Sequence, residues 1–179
     1  DEVYANQLGL FIYRKKNQAP AKQHRKKINS YFKYVLKNLD FELTKAQINC
    51  LNEINKDINS KLQMKRLLQG DVGSGKTLVA LSAILNLVEE NKQAVLMSPT
   101  DLLSVQHYEF IKNITDGLKI NISLLTSKLK NSDKEKILQN IASGETSIIV
   151  GTHSLISDNV EFFKLGIAVI DEQHKFGVN

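Results

Sequence analysis

A glycine-rich loop followed by a lysine and a threonine is the stretch whose residue types and spacing most directly support chemistry. The sequence Gly-Asp-Val-Gly-Ser-Gly-Lys-Thr at 70–77 fits the pattern Gly-x-x-x-x-Gly-Lys-Thr. Glycines let backbone N–H groups curl around a phosphate, with a helix N-terminus behind them. Lys76 can then reach the β- and γ-phosphates, and the Thr77 hydroxyl can ligate Mg²⁺. The pattern predicts a nucleoside triphosphate site made of Gly70, Asp71, Val72, Gly73, Ser74, Gly75, Lys76 and Thr77.

An acidic pair near the end of the sequence could supply the metal and water chemistry that the loop lacks. Asp171 and Glu172 directly follow the apolar run 167–170, so we expect them at the end of a buried strand. Asp171 would hold Mg²⁺, directly or through water, and Glu172 would orient and deprotonate the attacking water. Gln173 and His174 could sense the γ-phosphate and relay its loss to a bound strand. An Asp-Glu pair alone is often a solvated turn, but a phosphate loop upstream in the same pattern favours hydrolysis.

Gln47 has two interpretations. Thr44 and Gln47 have the spacing of a capping box, a structural role that contributes about 1 kcal/mol. The carboxamide of Gln47 could instead pair with the N6/N7 edge of adenine. Its position just upstream of the phosphate loop favours the adenine role, and one side chain is not expected to play both roles at once.

Three further loops follow apolar runs and carry hydroxyl or backbone N–H groups, at 99–103, 124–127 and 151–153. Such groups suit contacts with the phosphates of a nucleic-acid backbone. Each loop alone is more often an ordinary cap or turn, but their joint placement favours a nucleic-acid partner. The candidate residues are Pro99, Thr100, Thr126, Ser127, Gly151, Thr152 and His153.

Hydrophobic periodicity predicts the elements that position these residues. From residue 41 onward, helical patterns alternate with short apolar runs, which predicts an α/β fold with a mainly parallel sheet covered on both faces. The predicted strands are 67–68, 94–97, 120–125, 147–150 and 167–170. Predicted helices follow Thr44 (with Leu51, Ile54, Ile58 and Leu62 on one face), and cover 77–85, 102–108 and 133–141. Ligands bind such sheets at the carboxyl ends of the strands, where each candidate loop falls.

The N-terminal segment has a different character. Apolar residues recur at helical spacing between Tyr4 and Ile12, Pro20 interrupts the pattern, and a second apolar stripe runs from Ile28 to Leu39. Residues 1–40 carry nine Lys or Arg against three acidic residues, whereas the remainder holds 15 against 16. The basic excess fits a polyanion partner and, equally, a solvated helical face.

Composition bounds the class of protein. With 179 residues and 42% hydrophobic content, the chain can form one domain with an extension. No apolar run approaches the roughly 20 residues that span a bilayer, and no signal-peptide pattern is present. The single cysteine, Cys50, fits a reducing cytosol and is expected to be a small buried residue on a helix. We expect a cytoplasmic protein without a membrane partner, in which His24 and His107 are surface or satisfied histidines and no His/Cys cluster binds metal.

Taken together, these segments resemble the first motor domain of superfamily 2 helicases, and in particular the bacterial RecG family of ATP-dependent DNA helicases. The stretches that carry the resemblance are 41–47, 66–77, 97–100, 106–108, 151–153 and 171–178. Gln173 favours this family over the related transcription-repair coupling translocase, which typically has Glu there.

The resemblance implies a RecA-like P-loop NTPase domain at 41–179. Residues 1–40 would be a helical linker that connects this domain to an N-terminal DNA-binding wedge domain. The resemblance also implies that ATP and Mg²⁺ power the remodelling of branched DNA, by fork reversal and Holliday-junction branch migration. By matching position, Phe41 and Gln47 would contact the adenine nucleotide, and Lys76, Thr77, Asp171 and Glu172 would serve phosphate, metal and water. Thr100, Thr126 and Thr152 would touch the translocated strand.

Four positions depart from the family pattern: Asp40 replaces a common Pro, Asp101 a Glu, Ser127 a Gly and Ser154 an Ala. Ser127 has the largest expected consequence, because a side chain there could crowd a close approach of backbone to phosphate. None of the four touches the ATP chemistry.

In this family a second RecA-like domain, here of the same or a companion chain, completes the ATP site and supplies an arginine finger. The arginines of this sequence are Arg14, Arg25 and Arg66, and none lies in a finger motif. We therefore expect weak ATP binding and very slow hydrolysis by this chain alone. The alternatives are a non-catalytic remnant, the transcription-repair translocase, and a P-loop kinase, in which Gln47 and 151–153 would have no role.

Overall fold

Four parallel strands form the sheet that carries the candidate residues. The computed structural model describes residues 30–176. Its strands are β1 (Gln93–Met97), β2 (Ile122–Leu125), β3 (Ile148–Gly151) and β4 (Leu165–Ile170). They are hydrogen-bonded in the order β2-β3-β1-β4, and each pairing is parallel. The predicted parallel sheet is confirmed.

Five α-helices of the described residues surround the sheet: α1 (Ser30–Lys37), α2 (Lys45–Ile58), α3 (Lys76–Val88), α4 (Asp101–Ile114) and α5 (Asn131–Ser143). Alternate residues of a strand point to opposite faces, so each face has its own core. Ala94 and Leu96 of β1 pack with α1 to α4, whereas Val95 and Met97 pack with Ile141 of α5. Helices on both faces explain why β1 and β3 are buried along their whole length.

The direction of α3 brings the phosphate loop to the carboxyl edge of the sheet. Most of α3 is buried, and only residues 89–92 separate it from β1, so the helix runs antiparallel to the strand it precedes. Its N-terminus therefore lies beside the carboxyl end of β1. α4 begins at that same end, four residues after the last residue of β1. Both helices present their N-termini at one edge, as ligand sites in open α/β sheets require.

Two predicted features of the segment before the phosphate loop are wrong. Leu67 and Leu68 form no strand: Leu67 is 74% exposed and Leu68 is half-buried against the core. Neither residue pairs with any of the four described strands, despite the apolar character of both. Leu62 is not on the helical face predicted for it, because α2 ends at Ile58 and Leu62 is exposed.

The predicted burial of the last strand also needs correction. β4 pairs with β1 on one side only and forms the end of the described sheet. Ile167 and Val169 pack on the core, whereas Leu165 and Ile170 are 46% and 47% exposed. A strand that is paired along one edge and covered on one face alternates between buried and exposed residues. Its continuous apolar sequence therefore predicts more burial than the structure has.

Other predictions from the sequence concern residues outside or at the margin of the described range. The helix between Tyr4 and Ile12, the break at Pro20, and His24 lie outside it. The stripe from Ile28 to Leu39 corresponds in its described part to α1. Cys50 lies on α2, half-buried rather than fully buried. Over 30–176, no helix is both long and apolar enough to cross a membrane.

Candidate functional site

The phosphate loop is a solvent-exposed backbone turn, and the side chain of Lys76 bonds to two of its carbonyl groups. Gly73 and Gly75 have φ angles of 79°, in the left-handed region that side chains disfavour. Lys76 Nζ donates hydrogen bonds of 2.7 Å to the Gly70 carbonyl and 2.8 Å to the Asp71 carbonyl. Val72 is fully exposed at the tip. The loop thus offers backbone N–H groups, a cation and the N-terminus of α3 to an anion from solvent.

Gln47 connects the start of α2 to this loop. Its Oε1 accepts from the Thr44 backbone N–H at 2.9 Å, and Thr44 Oγ1 accepts from the Gln47 N–H at 3.2 Å, which confirms the predicted capping box. Gln47 Nε2 also donates to the Ser74 carbonyl at 3.0 Å. Each amide atom retains one further hydrogen-bonding valence. The structure therefore shows the capping role of Gln47, and its role at adenine stays a prediction.

Phe41, the other residue expected at the adenine, lies three residues before the cap of α2. Its side chain is 58% exposed, so a large apolar ring faces solvent beside the segment that leads to Gln47. An exposed aromatic ring offers a surface for stacking. Its role in nucleotide binding stays a prediction.

The acidic pair lies at the same edge of the sheet. The Asp171 N–H donates to the Met97 carbonyl at 2.8 Å and so extends the β4–β1 ladder by one bond. Asp171 Oδ1 accepts from the Glu172 N–H at 3.0 Å, and Oδ2 accepts from His107 Nε2 at 2.8 Å. Glu172 has a φ angle of 52°, an uncommon conformation for a residue with a side chain, and begins a short 3-10 helix, Gln173–Lys175. The carboxylate of Asp171 is thus fixed at both oxygens.

Two basic side chains, His174 and Lys175, lie close to the Glu172 carboxylate. Its Oε2 lies 3.2 Å from His174 Nε2 and 3.6 Å from Lys175 Nζ, and the side chains of His174 and Lys175 are mostly exposed. Gln173 is exposed beside them. His174 therefore contacts the expected catalytic base directly, which the sequence pattern alone does not reveal.

A Mg²⁺ ion held through nucleotide phosphates fits these residues better than one held by protein alone. Over the described residues, no group of three or more His, Cys, Asp or Glu side chains could hold a metal ion. Mg²⁺ with nucleotides typically takes one or two protein oxygens and completes its shell with phosphates and water. The Thr77 hydroxyl in the first turn of α3 and the Asp171 carboxylate supply that number.

The three strand-end loops are tied to one another by hydroxyl groups. Thr100 Oγ1 caps α4 by accepting from the Leu103 N–H at 3.3 Å, and Ser127 Oγ donates to Asp101 Oδ2 at 3.0 Å. Ser154 Oγ donates to the Leu125 carbonyl at 2.9 Å. Three of the four departures from the family pattern therefore make hydrogen bonds here, and two of them, Asp101 and Ser127, bond to each other.

The candidate strand contacts differ in exposure. Thr100, Ser127 and His153 are exposed, and Pro99 is half-buried. The Thr126 and Thr152 side chains are buried, at 7% and 8% exposure. Gly151 is buried against the backbone carbonyl of Leu125, where no Cβ would fit. His153 packs edge-on against Phe176, with 4.9 Å between ring centroids. A partner strand could reach the exposed residues directly, but Thr126 and Thr152 only through their backbone or after movement.

Arg66 is committed to structure. Its guanidinium bonds to Glu53 Oε2 at 2.6 Å and to Asp57 Oδ2 at 2.7 and 2.8 Å, both on α2. The hydrogen bond to Asp57, followed by that to Glu53, raises the pKa of Arg66 above its ordinary value. An arginine held in this way is not free to serve as a finger.

A cavity of about 460 Å³ lies elsewhere, at the amino ends of β2 and β3, lined by residues such as Lys112, Asn121, Asn140 and Glu145. Parallel strands place their amino ends away from the edge where ligands bind in open α/β sheets. The cavity is therefore separate from the phosphate loop, and we assign the site from the convergence of side chains at the carboxyl edge.

His107 is the site residue that sequence reasoning missed. The sequence predicts a surface or satisfied histidine, and the structure pairs His107 with Asp171, a partner that the sequence does not indicate. Its signal is positional: His107 lies three residues after the buried Ser104 and four before the buried Ile111, on the side of α4 that faces the sheet. That the partner is Asp171 follows only from the pairing of β4 with β1.

Comparison with known proteins identifies the family. The DEAD/DEAH box helicase model matches residues 44–179. The ATP-dependent DNA helicase RecG of Borreliella burgdorferi is 50% identical over 144 residues, which cover 80% of this chain and 21% of the relative. That of Aquifex aeolicus is 40% identical over 181 residues, covering 99% of this chain and 22% of the relative. The chain thus spans about a fifth of the length of these relatives.

Solved structures agree. RecG bound to a three-way DNA junction matches with a TM-score of 0.82 at 38% identity, over 96% of this chain and 23% of that one. A hypothetical ATP-dependent RNA helicase from Sulfolobus tokodaii matches with a TM-score of 0.62 at 18% identity, over 82% of this chain and 42% of that one, which shows the fold alone. The expected RecA-like fold is confirmed. The chain belongs to the DEAD/DEAH box helicase family and contains a helicase motor domain similar to that of the RecG enzymes.

Proposed function

We propose that this chain is the ATP-binding half of a motor that remodels branched DNA, such as stalled forks and Holliday junctions, in recombination and repair. One observation carries the proposal: the phosphate loop, the Asp171–Glu172 pair and the strand-end loops share the carboxyl edge of one parallel sheet. A nucleotide and a nucleic-acid backbone bound there would contact the same rigid sheet.

The nucleotide half of the proposal assigns a role to each group. The phosphate loop and Lys76 hold the β- and γ-phosphates, which requires Lys76 to exchange its loop carbonyls for phosphate oxygens. Gln47 and Phe41 contact adenine. Thr77 and Asp171 would hold Mg²⁺, which neutralises charge that develops on the phosphates. Glu172 orients the attacking water and accepts its proton.

The nucleic-acid half rests on the strand-end loops. Helix N-termini and hydroxyl groups are common ligands of backbone phosphates. Thr100 and Asp101 begin α4, Ser127 is bonded to Asp101, and His153 is exposed after β3. The solved RecG structure named above contains a three-way DNA junction, and its similarity to this chain supports a branched substrate here.

Efficient hydrolysis needs a second RecA-like domain, of the same or a companion chain, to supply an arginine finger. Arg66 is paired with Glu53 and Asp57, and the described residues hold no other arginine. We propose that the chain alone binds ATP·Mg²⁺ weakly and hydrolyses it slowly. We also propose that it acts in the bacterial cytoplasm, where the DNA is found.

Equilibrium binding tests the proposal. The chain is titrated into fluorescent mant-ATP with Mg²⁺ and, separately, into a labelled three-way junction and a linear duplex of the same length at fixed salt. We expect saturable nucleotide binding and tighter binding of the junction than of the duplex. Binding of mant-ATP without binding of either DNA would contradict the proposed nucleic-acid role. It is the result that a P-loop kinase would give. Binding of none of the three would indicate a non-functional remnant.

A further inference from the structure

We propose that His107 is a positioning residue for Asp171: it holds the carboxylate in the orientation in which Mg²⁺·nucleotide is bound. The inference rests on the proposed function, because it concerns how the same nucleotide site is organised. It assigns a role to a side chain that no nucleotide-binding pattern in the sequence includes.

The geometry of the pair carries the first step. His107 lies in the second turn of α4, and its side chain is 13% exposed, whereas that of Asp171 is 31% exposed. Nε2 of His107 and Oδ2 of Asp171 are 2.8 Å apart. A carboxylate can only accept, so the ring nitrogen donates and must carry a proton on Nε2. The bond joins residues 64 positions apart, on different elements.

The remaining bonds of Asp171 show what the histidine adds. The backbone is fixed by the bond from the Asp171 N–H to Met97, and Oδ1 is fixed by the Glu172 N–H. Those two bonds come from neighbouring backbone and would leave the carboxylate free to tilt about its axis. The His107 bond to Oδ2 sets the plane of the group. Each oxygen keeps a lone pair for a metal ion or its water.

Carboxylates and imidazoles that bind metal usually rely on such outer hydrogen bonds, and losing one typically lowers metal affinity or activity by about 10- to 100-fold. We expect an effect of this size because, among the residues that the structure describes, His107 is the only side chain that hydrogen-bonds to the Asp171 carboxylate. Nucleotide held by the phosphate loop alone does not depend on the bond. The predicted consequence is therefore specific to the Mg²⁺-dependent part of nucleotide affinity.

Three substitutions separate positioning from packing. His107→Gln places an amide donor at a similar reach to Nε2 and restores the bond. His107→Asn keeps a donor on a side chain too short to reach, and His107→Phe keeps the ring shape without a donor. Glu109→Gln, at an exposed position on the same helix, is the matched control.

The measurement is the dissociation constant of mant-ATP for each variant, in excess EDTA and across a Mg²⁺ titration. We expect all variants to match the wild type in EDTA within about twofold. With Mg²⁺, His107→Asn and His107→Phe should bind about 10-fold more weakly and need more Mg²⁺ for half-saturation, while His107→Gln and Glu109→Gln stay close to the wild type. The rescue by Gln and the unchanged EDTA value are results that a merely structural role would not give.

The outcomes are distinguishable. If the wild type binds mant-ATP without any effect of Mg²⁺, the proposed function itself is in error. If the wild type responds to Mg²⁺ and His107→Asn responds equally, the positioning role of His107 is overturned. Should His107→Phe fail to fold, as loss of binding in EDTA would show, His107→Asn decides the matter.

Discussion

The phosphate loop and the loop after β3, taken with the last residue of that strand, Gly151, lie at the same edge of the sheet but are held in opposite ways. Residues 70–74 are exposed, and no neighbouring atom lies within 4 Å of the position that a Gly73 Cβ would occupy. Gly151 and Thr152, in contrast, are buried, with Gly151 against the Leu125 carbonyl. The phosphate loop is exposed and makes few contacts with the core, whereas the loop after β3 is shaped by the sheet.

This difference separates binding from stability. Changes in the phosphate loop should weaken nucleotide binding with little effect on folding, because its exposed residues, 70–74, contribute little to the core. Changes after β3 should destabilise the fold first, because the loop is continuous with the core.

The largest expected effect is on nucleotide affinity. Lys76→Ala removes the cation proposed to bind the phosphates, and the loss of its charge-assisted hydrogen bonds should make mant-ATP bind about 10- to 100-fold more weakly. The urea midpoint of unfolding should barely change. Lys136→Ala, at an exposed position on α5, provides the matched loss of charge. Equal loss of affinity in both variants would mean that general charge, and not the loop, holds the nucleotide.

The next effect is on stability at the other loop. Gly151→Ala forces a Cβ against the Leu125 carbonyl, so we expect the free energy of unfolding to fall by about 2 kcal/mol. Urea denaturation followed by circular dichroism measures it. A Gly151→Ala protein as stable as the wild type would show that this strand end is not rigid.

Gly73→Ala is the counterpart in the phosphate loop. The added methyl meets no neighbour, and only its φ of 79° is unfavourable, so stability should fall by about 1 kcal/mol. The free energy of mant-ATP binding should change by more than the free energy of unfolding does, because the methyl would lie where the backbone is proposed to approach a phosphate. If Gly73→Ala destabilises the fold more than Gly151→Ala does, the contrast between the two loops is reversed.

The smallest effect concerns the bond between Asp101 and Ser127. Both groups are near the surface, so a double-mutant cycle of Asp101→Asn and Ser127→Gly should give a coupling free energy of about 0.5 kcal/mol in urea denaturation. Ser127→Gly alone should also relieve any crowding of a bound strand and leave junction binding unchanged or tighter. Weaker junction binding by Ser127→Gly would instead make the hydroxyl a direct contact.

The sequence predicts well what depends on neighbours along the chain. The capping box at Thr44 and Gln47, the helix after the phosphate loop and the strands around Val95 and Ile149 follow local patterns, and each is confirmed. The exposure of Ile170 does not follow from the sequence, because it depends on which edge and which face of β4 other elements cover.

The site divides in the same way. The phosphate loop and the acidic pair could be found from spacing alone. The contact of His107 with Asp171 and the bond of Ser127 to Asp101 could not, because each joins elements that only the strand order brings together. Non-local hydrogen bonds leave no periodic trace in a sequence.

We propose that this chain holds ATP on one wall of a cleft whose opposite wall belongs to a second motor domain. The most direct test compares ATP hydrolysis, at saturating ATP, Mg²⁺ and fork DNA, by this chain and by a version extended through that domain. We expect slow turnover by the chain and acceleration on the order of 10³-fold or more in the extended protein. Equal turnover by the two proteins would contradict it.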